Sequence, residues 1–290
     1  MSQHDVTITD HPIPLAVRDH GGDGPPVLLL HGLGGTLDAW QEVTPPLTGA
    51  YRVVAMDLRG HGLSGDAPWE WDAVLDDIEA VADHLGLGAP AIVGHSLGGM
   101  LATLWAARHP ECPAIVNLDG LRSAENEPAN YPGMDPALVE RELAQLKAMF
   151  DAQAAAMARP LPPGQVAALP PRAVTTSGGD SYLRPGPRLL AAVRYAPHFR
   201  DAIPSLPAVR CPALVVLPTQ DPPGMPGSEL MAALRRGIRR DLAPVTEAHP
   251  HIRVVELAAS HNMVQEKPGD VARLITEFFE RTWRSQRARA

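Results

Sequence analysis

Two kinds of hydrophobic pattern alternate along the chain. Short continuous apolar runs bounded by glycine, proline or aspartate read as buried strands: "PVLLLHG" at 26–32, "YRVVAMD" at 51–57, "PAIVGH" at 90–95 and "PAIVNLDG" at 113–120; "PALVVLP" at 212–218 and "HIRVVELA" at 251–258 read as two further strands. Between them, apolar residues recur every three or four positions, as on one face of a helix. Val74, Ile78, Val81 and Leu85 do so in "WDAVLDDIEAVADHLGL", and "LGGMLATLWAARHP" reads as a helix stopped by Pro110. A further helix is expected from Gly227 to Arg240, and a last one over "VARLITEFFERTWRSQ", with Leu274, Phe278 and Phe279 inward. At the start, "VTITD" and "PLAVRD" alternate polar and apolar residues, as in a hairpin at a sheet edge. Buried strands alternating with helices predict an α/β fold, a mostly parallel sheet covered by helices on both faces.

Residues 121–206 break this rhythm. They hold one strong helix from Asp135, with Pro136 in its first turn, and a second over "PRLLAAVRYA". No strand is evident there. The clusters "RPLPPGQVAALPPR" and "YLRPGPR" exclude regular helix or central strand. The expected organisation is therefore a core at 1–120, a helical insertion at 121–206 and the rest of the core at 207–290.

Composition changes this picture little. The 290 residues are 45% hydrophobic and 20% charged, enough for a large core. A formal charge of −8, with no basic run before the tail "RTWRSQRARA", argues against nucleic acid as a partner. The start "MSQHDVTITD" lacks the basic and apolar regions of a signal peptide, and no apolar stretch approaches the ~20 residues that span a bilayer. A cytoplasmic protein, monomer or homodimer, is the expectation. Two cysteines make no disulfide framework.

The candidate chemistry sits where "PAIV" meets an apolar helix. Gly94-His95-Ser96-Leu97-Gly98 has the spacing of a nucleophile elbow, a sharp strand-to-helix turn that lifts a serine hydroxyl clear of the sheet. Ligands gather at the carboxyl ends of parallel strands, and the helix N-terminus there favours negative charge. The serine needs a base. Of 12 histidines, His31 and His61 lie in glycine turns, His95 adjoins Ser96, and His249 with His251 forms an H-x-H pair without a carboxylate in view. His261 stands at the carboxyl end of the final strand, on the rim of Ser96. No metal or other cofactor is called for; neither a P-loop nor a dinucleotide-binding glycine motif is suitably placed.

"HGLGG" (31–35), "DLRGHGLS" (57–64) and "GHSLGG" (94–99), in this order, resemble the α/β-hydrolase superfamily, in its lid-bearing branch of esterases, lactonases, carbon–carbon hydrolases and perhydrolases. The resemblance covers nearly the whole chain except the insertion, which it implies to be a lid. It implies Ser96 as nucleophile and His261 as base, although Ser260 replaces the glycine the family often has before the histidine. It implies Asp221 as the acid behind His261, at the commoner family position, though Pro218 replaces a usual glycine. Asp119, at a position some relatives use, is the alternative. It implies Leu33 and Leu97 as backbone donors of an oxyanion hole. Asp57 and Arg59 read as a structural pair below the site. Trp40, Met100, Leu121, Met149, Phe150 and Met263 are candidates for an apolar pocket. Family topology also makes neighbours of the strands that Cys112 and Cys211 open, with free thiols expected in a reducing compartment.

The expected activity is serine hydrolysis of a small carbonyl substrate (ester, lactone or thioester), apolar near the carbonyl. Serine rather than aspartate at the elbow argues against halide or epoxide chemistry. Carbon–carbon hydrolysis, lyase chemistry or perhydrolysis by the same residues is the alternative, and a low-turnover receptor on the same fold is another.

Overall fold

The structure is a computed structural model that describes residues 3–221 and 228–287. Eight strands form one sheet: β1 (His4–Ile8), β2 (Leu15–Gly21), β3 (Pro26–Leu30), β4 (Arg52–Met56), β5 (Ala91–His95), β6 (Ile115–Leu118), β9 (Ala213–Pro218) and β10 (Ile252–Leu257). Their order is β1-β2-β4-β3-β5-β6-β9-β10. β1 and β2 pair antiparallel, as does β2 with β4; every other pairing is parallel. The four buried runs and the two further strands are the six parallel strands, and the alternating pair forms the edge hairpin.

Alternate residues of each strand enter opposite cores. Leu28, Leu30, Ile92, Ile115 and Val215 face one layer, with helices α1 (Trp71–His84) and α2 (Leu97–Arg108) and with α7 (Ser228–Ala248). Val27, Leu29, Val93, Val116 and Val216 face the other, with Trp40, Val43 and Leu47, the short α8 (Met263–Glu266) and the C-terminal α9 (Pro268–Arg287). The periodic faces behave as their spacing predicts: Val74, Ile78, Val81, Phe278 and Phe279 are all buried. α7 runs past the expected end to Ala248 with Pro244 inside it, while Gly227, its expected start, lies outside the described residues.

Residues 121–206 hold α3 (Pro136–Met157), α4 (Pro163–Val166), α5 (Pro187–Arg194) and α6 (Pro197–Arg200). The Asp135 side chain caps α3, accepting from the N–H groups of Ala137 and Leu138. Of the 22 residues of α3 only Val139 is buried, so this helix lies outside the main core. One expectation fails here: β7 (Val174–Ser177) and β8 (Asp180–Leu183) form a small antiparallel hairpin. Its strands are four residues each, mostly polar, none of them buried, and carry no core periodicity. Arg184, just after β8, donates to the carbonyls of Gly60, Gly62 and Ser64 and pairs with Asp66, which fastens the hairpin to the core.

Candidate active site

The turn that carries Ser96 is forced by close backbone contact. A Cβ on Gly94 would lie 1.9 Å from the Gly98 carbonyl oxygen, and one on Gly98 would lie 2.1 Å from that of Leu30. Neither space admits a side chain, so glycine is required at both positions. Ser96 itself has φ 52°, ψ −118°, a left-sided conformation rare for a residue with a Cβ. Its N–H donates to the Leu118 carbonyl, and its carbonyl accepts from Gly99 and Met100, which starts α2.

Three side chains meet at this rim. The Ser96 hydroxyl lies 3.1 Å from His261 Nε2 and donates to it. His261 Nδ1–H donates to Asp119 Oδ2 across 2.6 Å. Burial lowers the basicity of His261, but the Asp119 hydrogen bond and charge outweigh it, and the pKa is raised above 6.5. The imidazole is 45% exposed, so the group opens to solvent.

The preferred carboxylate of the sequence reading, Asp221, is therefore not the one on His261. Its side chain is bound by Arg235 of α7. Asp119, the alternative, lies directly after β6 with φ 52°. Asn117 brings it there. Fully buried, Asn117 accepts the Gly120 N–H and donates to the carbonyls of Gly99 and Gly120 and to the Thr103 hydroxyl. This brace turns the chain at Asp119 and ties the turn to α2. The signal in the sequence was the asparagine two residues before the aspartate.

His261 is held by residues that the sequence reading passed over. His95 Nε2–H donates to the His261 carbonyl at 2.7 Å. Burial, then the nearby His261, lowers the His95 pKa to about 3, so this ring stays a neutral donor. Ser260, the departure from glycine, donates its N–H and hydroxyl to the two carboxylate oxygens of Glu266 and accepts the Asn262 N–H. The loop before α8 is thereby fixed on both sides of the histidine.

Leu33 is half-buried in the loop after β3, and a Cβ on its neighbour Gly32 would lie 3.1 Å from Ser96 Cβ. Leu97 opens α2, where the N–H has no acceptor within the helix. The pocket candidates are scattered. Trp40 and Met263 are fully buried in the layer of α9, and Leu121 in the opposite one. Met100 is buried in α2; Met149 is largely exposed, and Phe150 lies under the Arg194 guanidinium.

Asp57 and Arg59 do not pair with each other. Arg59 binds Asp77 of α1, and Asp57 binds Arg172 of the insertion. Cys112 and Cys211 are free and buried, and the Cys112 thiol lies against the carbonyls of Pro90 and Ala114. His251 Nε2–H donates to the Val209 carbonyl. Among the described residues no set of three or more His, Cys, Asp or Glu side chains gathers as a metal would require. No helix among them is long and apolar enough to cross a membrane.

The sheet order and the elbow at its centre define the class: the chain belongs to the α/β-hydrolase superfamily. The family model for the alpha/beta hydrolase fold matches residues 25–168. Over 145 residues the chain is 33% identical to the dihydrolipoyllysine-residue acetyltransferase component of the acetoin cleaving system of Pseudomonas putida, covering 42% of this chain and 39% of that protein. Over 91 residues it is 43% identical to pimeloyl-[acyl-carrier protein] methyl ester esterase of Chromobacterium violaceum, covering 31% of this chain and 34% of that one. The chain thus spans less than half the length of these curated relatives. The crystal structure of E-2-(acetamidomethylene)succinate hydrolase aligns with a TM-score of 0.67 over 96% of this chain and 100% of the other, at 21% identity, a likeness of fold.

Proposed function

We propose that the protein is a serine hydrolase that cleaves a carboxylic ester or a related lactone or thioester through an acyl-enzyme. The observation that carries this reading is the unbroken chain of hydrogen bonds from Ser96 through His261 to Asp119. Ser96 Oγ attacks the carbonyl carbon as its proton passes to His261 Nε2. Asp119 holds the Nδ1–H tautomer and stabilises the imidazolium. The charge that develops on the carbonyl oxygen is met by the backbone N–H groups of Leu97 and Leu33, each such donor contributing about 3 kcal/mol. The tetrahedral adduct collapses, His261 hands its proton to the leaving oxygen or sulfur, and Ser96 remains acylated. Water then repeats the sequence and releases the acid.

A serine nucleophile favours this over halide or epoxide opening, which needs a carboxylate nucleophile in this fold. The esterase similarity, at 43% identity, points the same way over a limited stretch. The substrate is a small molecule with an apolar acyl part, a reading supported by Leu97 and Met100 just after Ser96 and by Leu33 beside Gly32, whose backbone lies against Ser96. Residues 121–206 act as the lid. The site needs no metal or other cofactor.

Turnover of short-chain p-nitrophenyl esters by the wild type and Ser96→Ala tests the reading. Loss of roughly 10⁴-fold or more is expected in Ser96→Ala. Equal rates in the two proteins would remove Ser96 from the chemistry. Mass spectrometry of the wild type with a slow ester is expected to find the acyl group on Ser96.

A further inference from the structure

Several buried arginines join residues 121–206 to the core, and one of them, Arg172, binds a fully buried carboxylate. Arg172 lies in the turn before β7, with only 8% of its side chain exposed. Its Nη1 donates to Asp57 Oδ2 at 2.5 Å and its Nη2 to Asp5 Oδ2 at 2.6 Å, while Nε lies 3.6 Å from Asp38 Oδ2. Arg18 closes the network by binding Asp5 and Asp38. Asp57 is fully buried and has a second task. Its Oδ1 accepts the Leu37 N–H at 2.8 Å, and its Oδ2 also accepts that of Leu63. Leu37 begins the short turn Leu37–Trp40, four residues after Leu33 in the same loop. A buried carboxylate is tolerated only when it is paired. The anchor of the Leu33 loop is thus complete only when the insertion supplies Arg172.

We propose that Arg172 is a positioning residue that couples docking of the insertion to order in the oxyanion loop. This rests on the serine-hydrolase reading for its effect on rate. Arg184 provides the contrast. It docks the same hairpin, but on the carbonyls of Gly60, Gly62 and Ser64 and on Asp66, and reaches Asp57 only indirectly, through the segment whose Leu63 N–H that carboxylate accepts. A purely structural clamp would make the two arginines equivalent; coupling through Asp57 makes them different.

The experiment compares the full-length wild type with Arg172→Gln, Arg172→Lys and Arg184→Gln. Ester turnover is normalised to the fraction of Ser96 labelled by a fluorophosphonate, so that misfolded protein does not count. In Arg172→Gln, kcat per labelled site is expected to fall about 10- to 100-fold with KM nearly unchanged. Arg172→Lys, which keeps a charge on Asp57 but not the fork, is expected to lose less. Arg184→Gln is expected to stay within about threefold of wild type. Hydrogen exchange of the 32–37 backbone is expected to quicken in Arg172→Gln and not in Arg184→Gln. If Arg172→Gln does not fold, the lysine variant carries both measurements. Unchanged kcat per site with unchanged exchange would overturn the proposal, as would equal losses in the two arginine-to-glutamine variants. A wild type that neither labels nor turns over would instead defeat the hydrolase reading, and the exchange comparison would still decide the coupling.

Discussion

Asp119 and Asp221 follow neighbouring parallel strands at the same rim, yet their surroundings differ throughout. Asp119 comes directly after β6, where Asn117 folds the chain back on itself and aims the carboxylate at His261. Asp221 comes three residues after β9. The intervening Thr219 and Gln220 go on pairing with the end of β10 and the chain just past it, through the carbonyls of Leu257 and Ala259, and the carboxylate meets Arg235. One aspartate faces a titratable ring and the other a fixed cation. A place at a strand end makes a carboxylate available; the partner across from it decides its use.

The largest effect that separates the two belongs to Asp119→Asn. The asparagine keeps the size but favours the wrong imidazole tautomer and no longer stabilises the imidazolium. A fall in kcat of roughly 10³- to 10⁴-fold is expected in ester turnover. A loss smaller than about tenfold would deny the Asp119–His261 contact its role and break the comparison.

Asn117→Ala tests whether the brace creates the difference. It leaves the buried Gly120 N–H and carbonyl without their side-chain partner, while the Gly99 carbonyl keeps the Thr103 hydroxyl, at a cost of about 1–3 kcal/mol for an unsatisfied buried group. Thermal denaturation is expected to register that loss. In ester assays kcat/KM is expected to drop about 10- to 100-fold, because Asp119 loses its fixed aim. Destabilisation with full activity would mean that the turn holds without Asn117.

The pH profile carries a smaller, directional signature. His261 must be neutral to accept the serine proton, and its pKa is raised above 6.5 because the Asp119 contact outweighs burial. The acid limb of kcat/KM is therefore expected above pH 6.5 in the wild type. In Asp119→Asn the raising influence is gone and the limb is expected to move to lower pH. The same linkage acts on stability. A raised histidine pKa stabilises the native state fully below the unfolded value of about 6.5, and this is lost as pH rises through the folded value. The stability deficit of Asp119→Asn relative to wild type is expected to be larger at acidic than at alkaline pH. Denaturant titrations at several pH values measure it.

Much of this was legible in the chain. Continuous apolar runs revealed the inner parallel strands, because burial on both faces leaves few polar positions, while β10, at the sheet edge, keeps Arg253 and Glu256 exposed. The glycines around Ser96 revealed the elbow, because their spaces admit no Cβ. His261 was legible from its place at a strand end. What stayed hidden depended on partners distant in sequence. Asp57 and Arg59 look like a pair in "DLRGH", but their partners come from the insertion and from α1. The β7–β8 hairpin is short and polar, so no periodicity marks it. The preference for Asp221 rested on the commoner family position and did not weigh Arg235, fourteen residues on along a helix, which takes that carboxylate while His261 meets Asp119.

The smallest effect is the sharpest test of the contrast. Asp221 and Arg235 are about one-fifth exposed, so Asp221→Asn is expected to cost at most about 1 kcal/mol of stability. Its kcat is expected to stay within about threefold of wild type, against thousands for Asp119→Asn. A modest loss has a specific origin to test. Arg235 and Asp119 line the same small cavity of about 10 Å³, so a guanidinium released from Asp221 is free to compete for the Asp119 carboxylate. Adding Arg235→Gln to Asp221→Asn removes the competitor and is expected to return activity to the wild-type level. A loss that survives the second substitution would place Asp221 itself in the reaction. One that disappears would leave Asp221 the task of keeping a cation away from its neighbour.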